Sequence, residues 1–310
     1  MGCPDWPKCF GLFIPPTTES EITWQKNIEY GINQMLIHND TLWVAKNNFI
    51  SDSNFHRKNW EPYKKHNYVK FNVFHTWAEY INRCIGAITG LFVLALFFLS
   101  LFKGIRGYKS VGSLILLILF LLQAWIGGEV VFSVLNPFKI TIHMFVALII
   151  VCILFILINI TLKPTIQKNI DYSKSIKFFL FLTMVLSLIQ IFFGTQVREF
   201  VDVLPSDKSI WVSEIENSQI KIHQLIAFFV FFLNIYLCVS MLGKYSSIKE
   251  IPNELHFIFF TLFGLILSGV VMLNFNFLGL AQLIHLLSAF ILFGAQFSLF
   301  LKFNLSKSIE

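Results

Sequence analysis

The stretch IGGEVVFSVLNPFKITIH, Ile126 to His143, has a counterpart of equal length in SGVVMLNFNFLGLAQLIH, Ser268 to His285. Each begins near the end of a long apolar run, crosses a short break, and ends on a histidine just inside the next run. Working outward, EYINR at Glu79–Arg83 matches IKIHQ at Ile220–Gln224, and both open an apolar run. Asn82 to His143 is 61 residues and His223 to His285 is 62. Matched landmarks at matched separations make this an internal repeat, so the chain reads as two similar halves.

The chemistry of those runs sets the class. Of the 310 residues, 55% are hydrophobic and 14% charged, 36 are Phe, and the mean hydropathy is +0.67. A soluble domain carries about 25% charge. Seven apolar spans follow residue 74, at roughly 80–102, 111–135, 140–162, 178–197, 222–243, 255–273 and 280–301. Each is long enough to cross about 30 Å of hydrocarbon, and in lipid each must be helical to satisfy its own backbone. The sequence therefore predicts an all-α integral membrane protein.

Basic residues orient it. Lys103, Arg106 and Lys109 follow the first span; Lys163, Lys168, Lys174 and Lys177 the third; Lys244 and Lys249 the fifth; Lys302 and Lys307 the last. These alternate loops belong in the cytoplasm. The net charge of +6 is thereby accounted for, and nucleic-acid binding is not expected. The C-terminus is cytoplasmic and residues 1–74 lie outside. That polar segment has no visible signal peptide, and the first half has three spans against four in the second. A helix upstream of Met1 is the expected remedy. The expected architecture is two pseudo-symmetric four-helix transmembrane bundles, the first missing one helix. Residues 1–74 form an outer loop, 75–165 the N-terminal bundle and 166–310 the C-terminal bundle.

Three histidines, His143, His223 and His285, fall within the first residues of spans entered from outside, near one depth. A single histidine in an apolar helix is usually a packed side chain bonded to a carbonyl. Three at repeat-related positions point instead to function, because ionisable residues in a membrane are costly. His223 and His285 stand on alternate helices of one half, which suits two imidazoles on opposite sides of a haem iron. Zinc would require further ligands at that depth.

The first half differs. His143 is present, but Asn82 matches His223, and the nearest further imidazole is His75. His75, Glu79 and Asn82, spaced i, i+4, i+7, line one helical face. Glu79 matches Ile220, so its carboxylate is private to the first half, where it could act as a base or orient water. It could equally be a helix-start residue favoured by the macrodipole. Glu129, after Gly127 and Gly128, ranks below it. Arg83 and Arg198, near outer span ends, suit either haem propionates or interfacial snorkelling. Cys84, Cys152 and Cys238 lie in apolar runs as core residues. Cys3 and Cys9 bracket Pro4–Lys8 on the side that permits disulfides. Their spacing fits a redox-labile bridge or a structural clamp. No CxxCH occurs, so covalent c-type haem attachment is excluded.

Several stretches together resemble the haem A synthase family of cytochrome oxidase assembly: GCPDWPKCFG at 2–11, EYINR at 79–83, QAWIGGEVVFSVLNPFKITIH at 123–143, GTQVRE at 194–199, KIHQ at 221–224 and QLIHLLSA at 282–289. The resemblance covers most of the chain outside about 15–70. It implies eight helices in two bundles and a haem b on the pair matched by His223 and His285. Haem O would enter the first half, with His143 matching one ligand and Glu79 the essential acid. Cys3 and Cys9 match a functional cysteine pair. Family members usually have His where this chain has Asn82, which makes His75 the candidate substitute. The implied reaction oxidises the C8 methyl group of haem O to a formyl group by successive hydroxylation, with water as the oxygen source.

The implied setting is the inner (cytoplasmic) membrane, with the haem sites near its outer face. Expected partners are haem O, haem O synthase, an electron acceptor that the sequence does not name, the bilayer and further copies of the chain. Two other classes remain: a non-enzymatic dihaem b-type cytochrome, which needs two complete ligand pairs, and a haem transporter, which needs a broken-helix pathway at mid-membrane.

Overall fold

A computed structural model describes residues 2–64, 70–102, 107–133, 136–162, 174–203, 218–245, 252–275 and 279–305. Seven of its helices are long and apolar enough to cross a membrane: α1 (Val73–Phe102), α2 (Tyr108–Phe132), α3 (Pro137–Leu162), α4 (Lys174–Val203), α5 (Ser218–Tyr245), α6 (Asn253–Asn274) and α7 (Gly279–Leu305). They coincide with the seven expected spans. Most ends run a few residues further, because polar residues such as Lys174 and Ser218 continue a helix beyond its apolar run. Of the cations that set the orientation, Lys103, Arg106, Lys163, Lys168, Lys249 and Lys307 lie outside the described residues.

Local chemistry fixes the hairpin between α2 and α3. The Asn136 side chain accepts hydrogen bonds from the Phe138 and Lys139 amides at 3.1 and 3.4 Å. Pro137 follows in the first helical position, where its missing N–H costs nothing. Lys139 then pairs with Glu129 of α2 at 2.7 Å.

Chain contacts divide the molecule between Val146 and Ala147, into residues 1–146 and 147–310. In the second unit α4 packs on α5 and α7, and α6 packs on α5 and α7, so the four helices close a circuit. Its core includes Leu180, Val230, Leu237, Ile258, Leu262, Leu292 and Leu299. Many large side chains on the helices, Phe92, Phe102, Phe229 and Phe260 among them, are exposed, as a lipid-facing surface requires.

The first unit carries the segment expected as an outer loop, and much of it is folded. Two small antiparallel sheets form there, one of β1 (Glu29–Tyr30) with β4 (Phe49–Ile50), the other in the order β2 (Met35–His38), β3 (Thr41–Ala45), β5 (Trp60–Pro62). Asn39 and Asp40, at φ 49° and 53°, make the two-residue turn between β2 and β3. Such turns match the twist of the strands they join. Trp24, Tyr30, Phe49, Phe55 and Trp60 stack into one aromatic core. A second core holds Cys3, Cys9, Phe10, Ile22, Met35 and Leu42.

Candidate functional site

In the first unit the CPDWPKC loop docks on the outer end of α1. Cys3 and Cys9 are joined in a disulfide and both are fully buried. Glu79 receives the Gly2 and Cys3 amides on one carboxylate oxygen, at 2.8 and 3.2 Å. Its other oxygen pairs with Arg83 Nη2 at 2.6 Å. Arg83 Nη1 donates to the Asp5 and Lys8 carbonyls, at 2.9 and 2.8 Å. Thr76 Oγ1 donates to the Gly2 carbonyl at 2.8 Å, and Tyr63 to that of Pro4 at 2.9 Å.

Gly2 is required here, because a Cβ would lie 2.2 Å from the His75 carbonyl oxygen. Gly11, at φ +75°, needs its glycine twice over: the conformation is left-handed and a Cβ would meet the Asn33 carbonyl. Between them the half-buried Asp5 carboxylate accepts the Phe10 and Gly11 amides, at 2.7 and 2.9 Å. Burial pushes its pKa up against the opposing pull of those amides and of Arg83.

The loop also touches α2. The Trp6 indole lies over Gly128, where a Cβ would come within 3.3 Å of the ring. The adjacent Gly127 faces the other way, toward the His143 imidazole, 3.4 Å from a would-be Cβ. Gln123, one turn earlier, donates to the His143 carbonyl at 3.0 Å. His143 Nδ1 is buried without a hydrogen-bond partner. Glu79, Arg83, Cys3 and Cys9 are thus gathered in one place, with Trp6 linking their loop to the glycine pair beside His143. His75 and Asn82 are exposed on α1.

In the second unit His223 of α5 and His285 of α7 face each other, ring centroids 6.3 Å apart and planes tilted by 51°. His285 Nδ1 lies 3.1 Å from the Leu265 carbonyl and 3.0 Å from Ser268 Oγ. A carbonyl only accepts, so Nδ1 carries the proton and Nε2 the lone pair. Gln190 of α4 donates to the His223 carbonyl at 3.0 Å and lies 3.1 Å from His223 Nε2. With the amide nitrogen placed by the carbonyl, His223 Nε2 is the acceptor and again holds the lone pair. Its Nδ1 is buried without a partner, against Gly194. Arg198 lies exposed near the C-terminal end of α4.

Sequence reasoning missed Asp5, Gly2, Thr76, Gln123, Gln190, Gly194 and Ser268. Most act across large sequence separations, and glycine and glutamine carry no chemistry of their own to mark them. The spacing of Gln123 and Gly127, repeated by Gln190 and Gly194, was the available clue.

The seven long apolar helices among the described residues define a multi-pass membrane protein. A family model described as COX15-CtaA, cytochrome oxidase assembly protein, matches residues 40–297, and the chain belongs to that family. The matched range holds Glu79 and all three histidines; Cys3 and Cys9 precede it. Comparison with curated proteins and with solved structures gives no significant match.

Proposed function

We infer that the chain is a haem A synthase, converting the C8 methyl group of haem O to the formyl group of haem A. The observation that carries this furthest is the facing pair His223 and His285, in a chain of the cytochrome oxidase assembly family. The pair fits a haem iron. Metal–imidazole bonds of about 2.0–2.1 Å on both sides of one ion put ring centres roughly 6 Å apart, and both Nε2 atoms carry their lone pairs. Among the described residues no group of three or more His, Cys, Asp or Glu side chains could hold a compact metal ion. His223 and His285 would hold haem b, which supplies one-electron redox capacity when bound.

The first half would take haem O as substrate, with His143 as a ligand and His75 or Asn82 as the α1 contribution. Arg198 is a candidate for a haem propionate; Arg83 is the nearer cation to Glu79. Each oxidation takes two electrons and one proton from the methyl carbon and adds a hydroxyl group from water, which releases the second proton. The first gives the alcohol and the second the geminal diol, which loses water to leave the aldehyde. The electrons pass to an external acceptor. Glu79 takes a proton from the attacking water, and Arg83 holds the carboxylate in place.

Co-expression with a haem O synthase, followed by haem extraction and mass analysis, tests this. Haem A or its hydroxylated precursor is expected. Haem B alone, with haem O present, would overturn the reading in favour of a dihaem cytochrome. That alternative needs a second imidazole pair, and Asn82 stands where the repeat would place one of its ligands.

A further inference from the structure

The three outer hairpins share one contact. In each, the imidazole on the returning helix sits against a glycine of the helix before it: His143 on Gly127, His223 on Gly194, and His285 on Gly269. A Cβ on these glycines would come within 3.4, 3.3 and 3.7 Å of the ring's Cε1. At Gly194 the ring would have to give by a few tenths of an ångström; at Gly127 the distance lies at the edge of ordinary contact. In the same two hairpins a glutamine one turn before the glycine, Gln123 or Gln190, donates to the carbonyl of the histidine itself, at 3.0 Å in both. In those two hairpins the ring Nδ1 is buried with no partner among the described residues. The usual anchor for a ligating imidazole, a hydrogen bond at its second nitrogen, is therefore missing. The third hairpin has Leu265 at the glutamine position, and there the Leu265 carbonyl holds Nδ1 directly.

We propose that Gln190 and Gly194 are positioning residues for His223 as a haem ligand, and that Gln123 and Gly127 do the same for His143. The glycine leaves room for one ring orientation. The glutamine ties the histidine's backbone to the neighbouring helix, replacing the anchor that His285 obtains through Nδ1. Gln190 also reaches His223 Nε2 at 3.1 Å, so its carboxamide fixes the direction of the nitrogen that would ligate iron. This rests on the haem reading above.

The test uses the full chain purified from membranes, with haem content by extraction, the low-spin electron paramagnetic resonance signal and the haem reduction potential as readouts. Gln190→Met keeps roughly the volume and removes the amide donor together with Oε1, which has no partner among the described residues. Gly194→Ala adds one methyl group at the ring. Gly243→Ala is the control on the same helix as His223, because its Cβ would meet nothing within 4 Å. Loss of such support weakens metal retention by about 10- to 100-fold. Haem loss of that order, or a shifted low-spin signal and potential, is expected for Gln190→Met and Gly194→Ala, with Gly243→Ala matching wild type. Unchanged haem content, signal and potential in both variants would overturn the proposal. If Gly194→Ala does not reach the membrane, Gln190→Met decides alone. A wild-type protein without haem at these histidines would instead overturn the functional reading on which this rests.

Discussion

Arg83 directs both terminal nitrogens inward, one to Glu79 and the other to two loop carbonyls. A lysine offers a single point charge and cannot hold that fork. The two side chains are 14% and 24% exposed, so the partners left behind by Arg83→Lys stay largely out of water. Such a loss costs about 1–3 kcal/mol. The CPDWPKC loop should then open more often, and a membrane-impermeant reductant should cleave the buried Cys3–Cys9 bridge faster than in wild type. Equal cleavage rates would mean that the loop is held elsewhere. Glu79→Gln removes the base and one acceptor of the clamp together. The proposed base predicts at least about a hundredfold less haem A, far below the output of Arg83→Lys, with the haem at His223 and His285 retained. Normal haem A output from this variant would remove Glu79 from the mechanism.

At the scale of elements, the loop and the small sheets meet at Tyr63. Burial, and after it the charge of Asp5, pushes the Tyr63 phenol up from 10.0 to about 12. Because the folded value is raised, the contribution to stability is complete below the ordinary value near 10 and is lost as pH rises toward 12. The tyrosinate absorbance missing from Tyr63→Phe should therefore rise close to pH 12, and that variant should lack the alkaline weakening of loop docking. A missing absorbance that rises near pH 10 would place Tyr63 in water. The helices were legible in the sequence, since apolar runs of membrane length admit one backbone solution. The strands were not. The longest, Thr41–Ala45, has five residues, and the aromatic core beside it draws Trp24, Tyr30, Phe49 and Trp60 from separate segments that no local pattern links. The site divides in the same way. His143, His223 and His285 stood out as ionisable residues in apolar runs. Asp5 and Thr76 acquire their roles only when the loop folds back onto α1.

At the scale of the whole molecule, the described residues hold seven candidate spans, and seven crossings predict that the folded N-terminal segment and the end of α7 lie on opposite faces of the bilayer. Which face is which follows from charge. Lys109 lies in the first turn of α2, Lys174 and Lys177 open α4, and Lys302 lies in the last turn of α7; each sits at the end of its helix away from the hairpins that carry His143, His223 and His285. Cations are retained on the cytoplasmic side, so the charge pattern predicts the disulfide loop and the histidine ends of α3, α5 and α7 outside. The disulfide agrees, because that bond persists in an oxidising compartment. Protease added to intact spheroplasts should cut the outer segment, whose exposed Lys26, Lys58 and Lys64 suit trypsin, and should leave a C-terminal tag whole. Permeabilised cells should lose both. A tag cleaved in intact spheroplasts, with the outer segment protected, would invert the molecule and place the histidines at the cytoplasmic face.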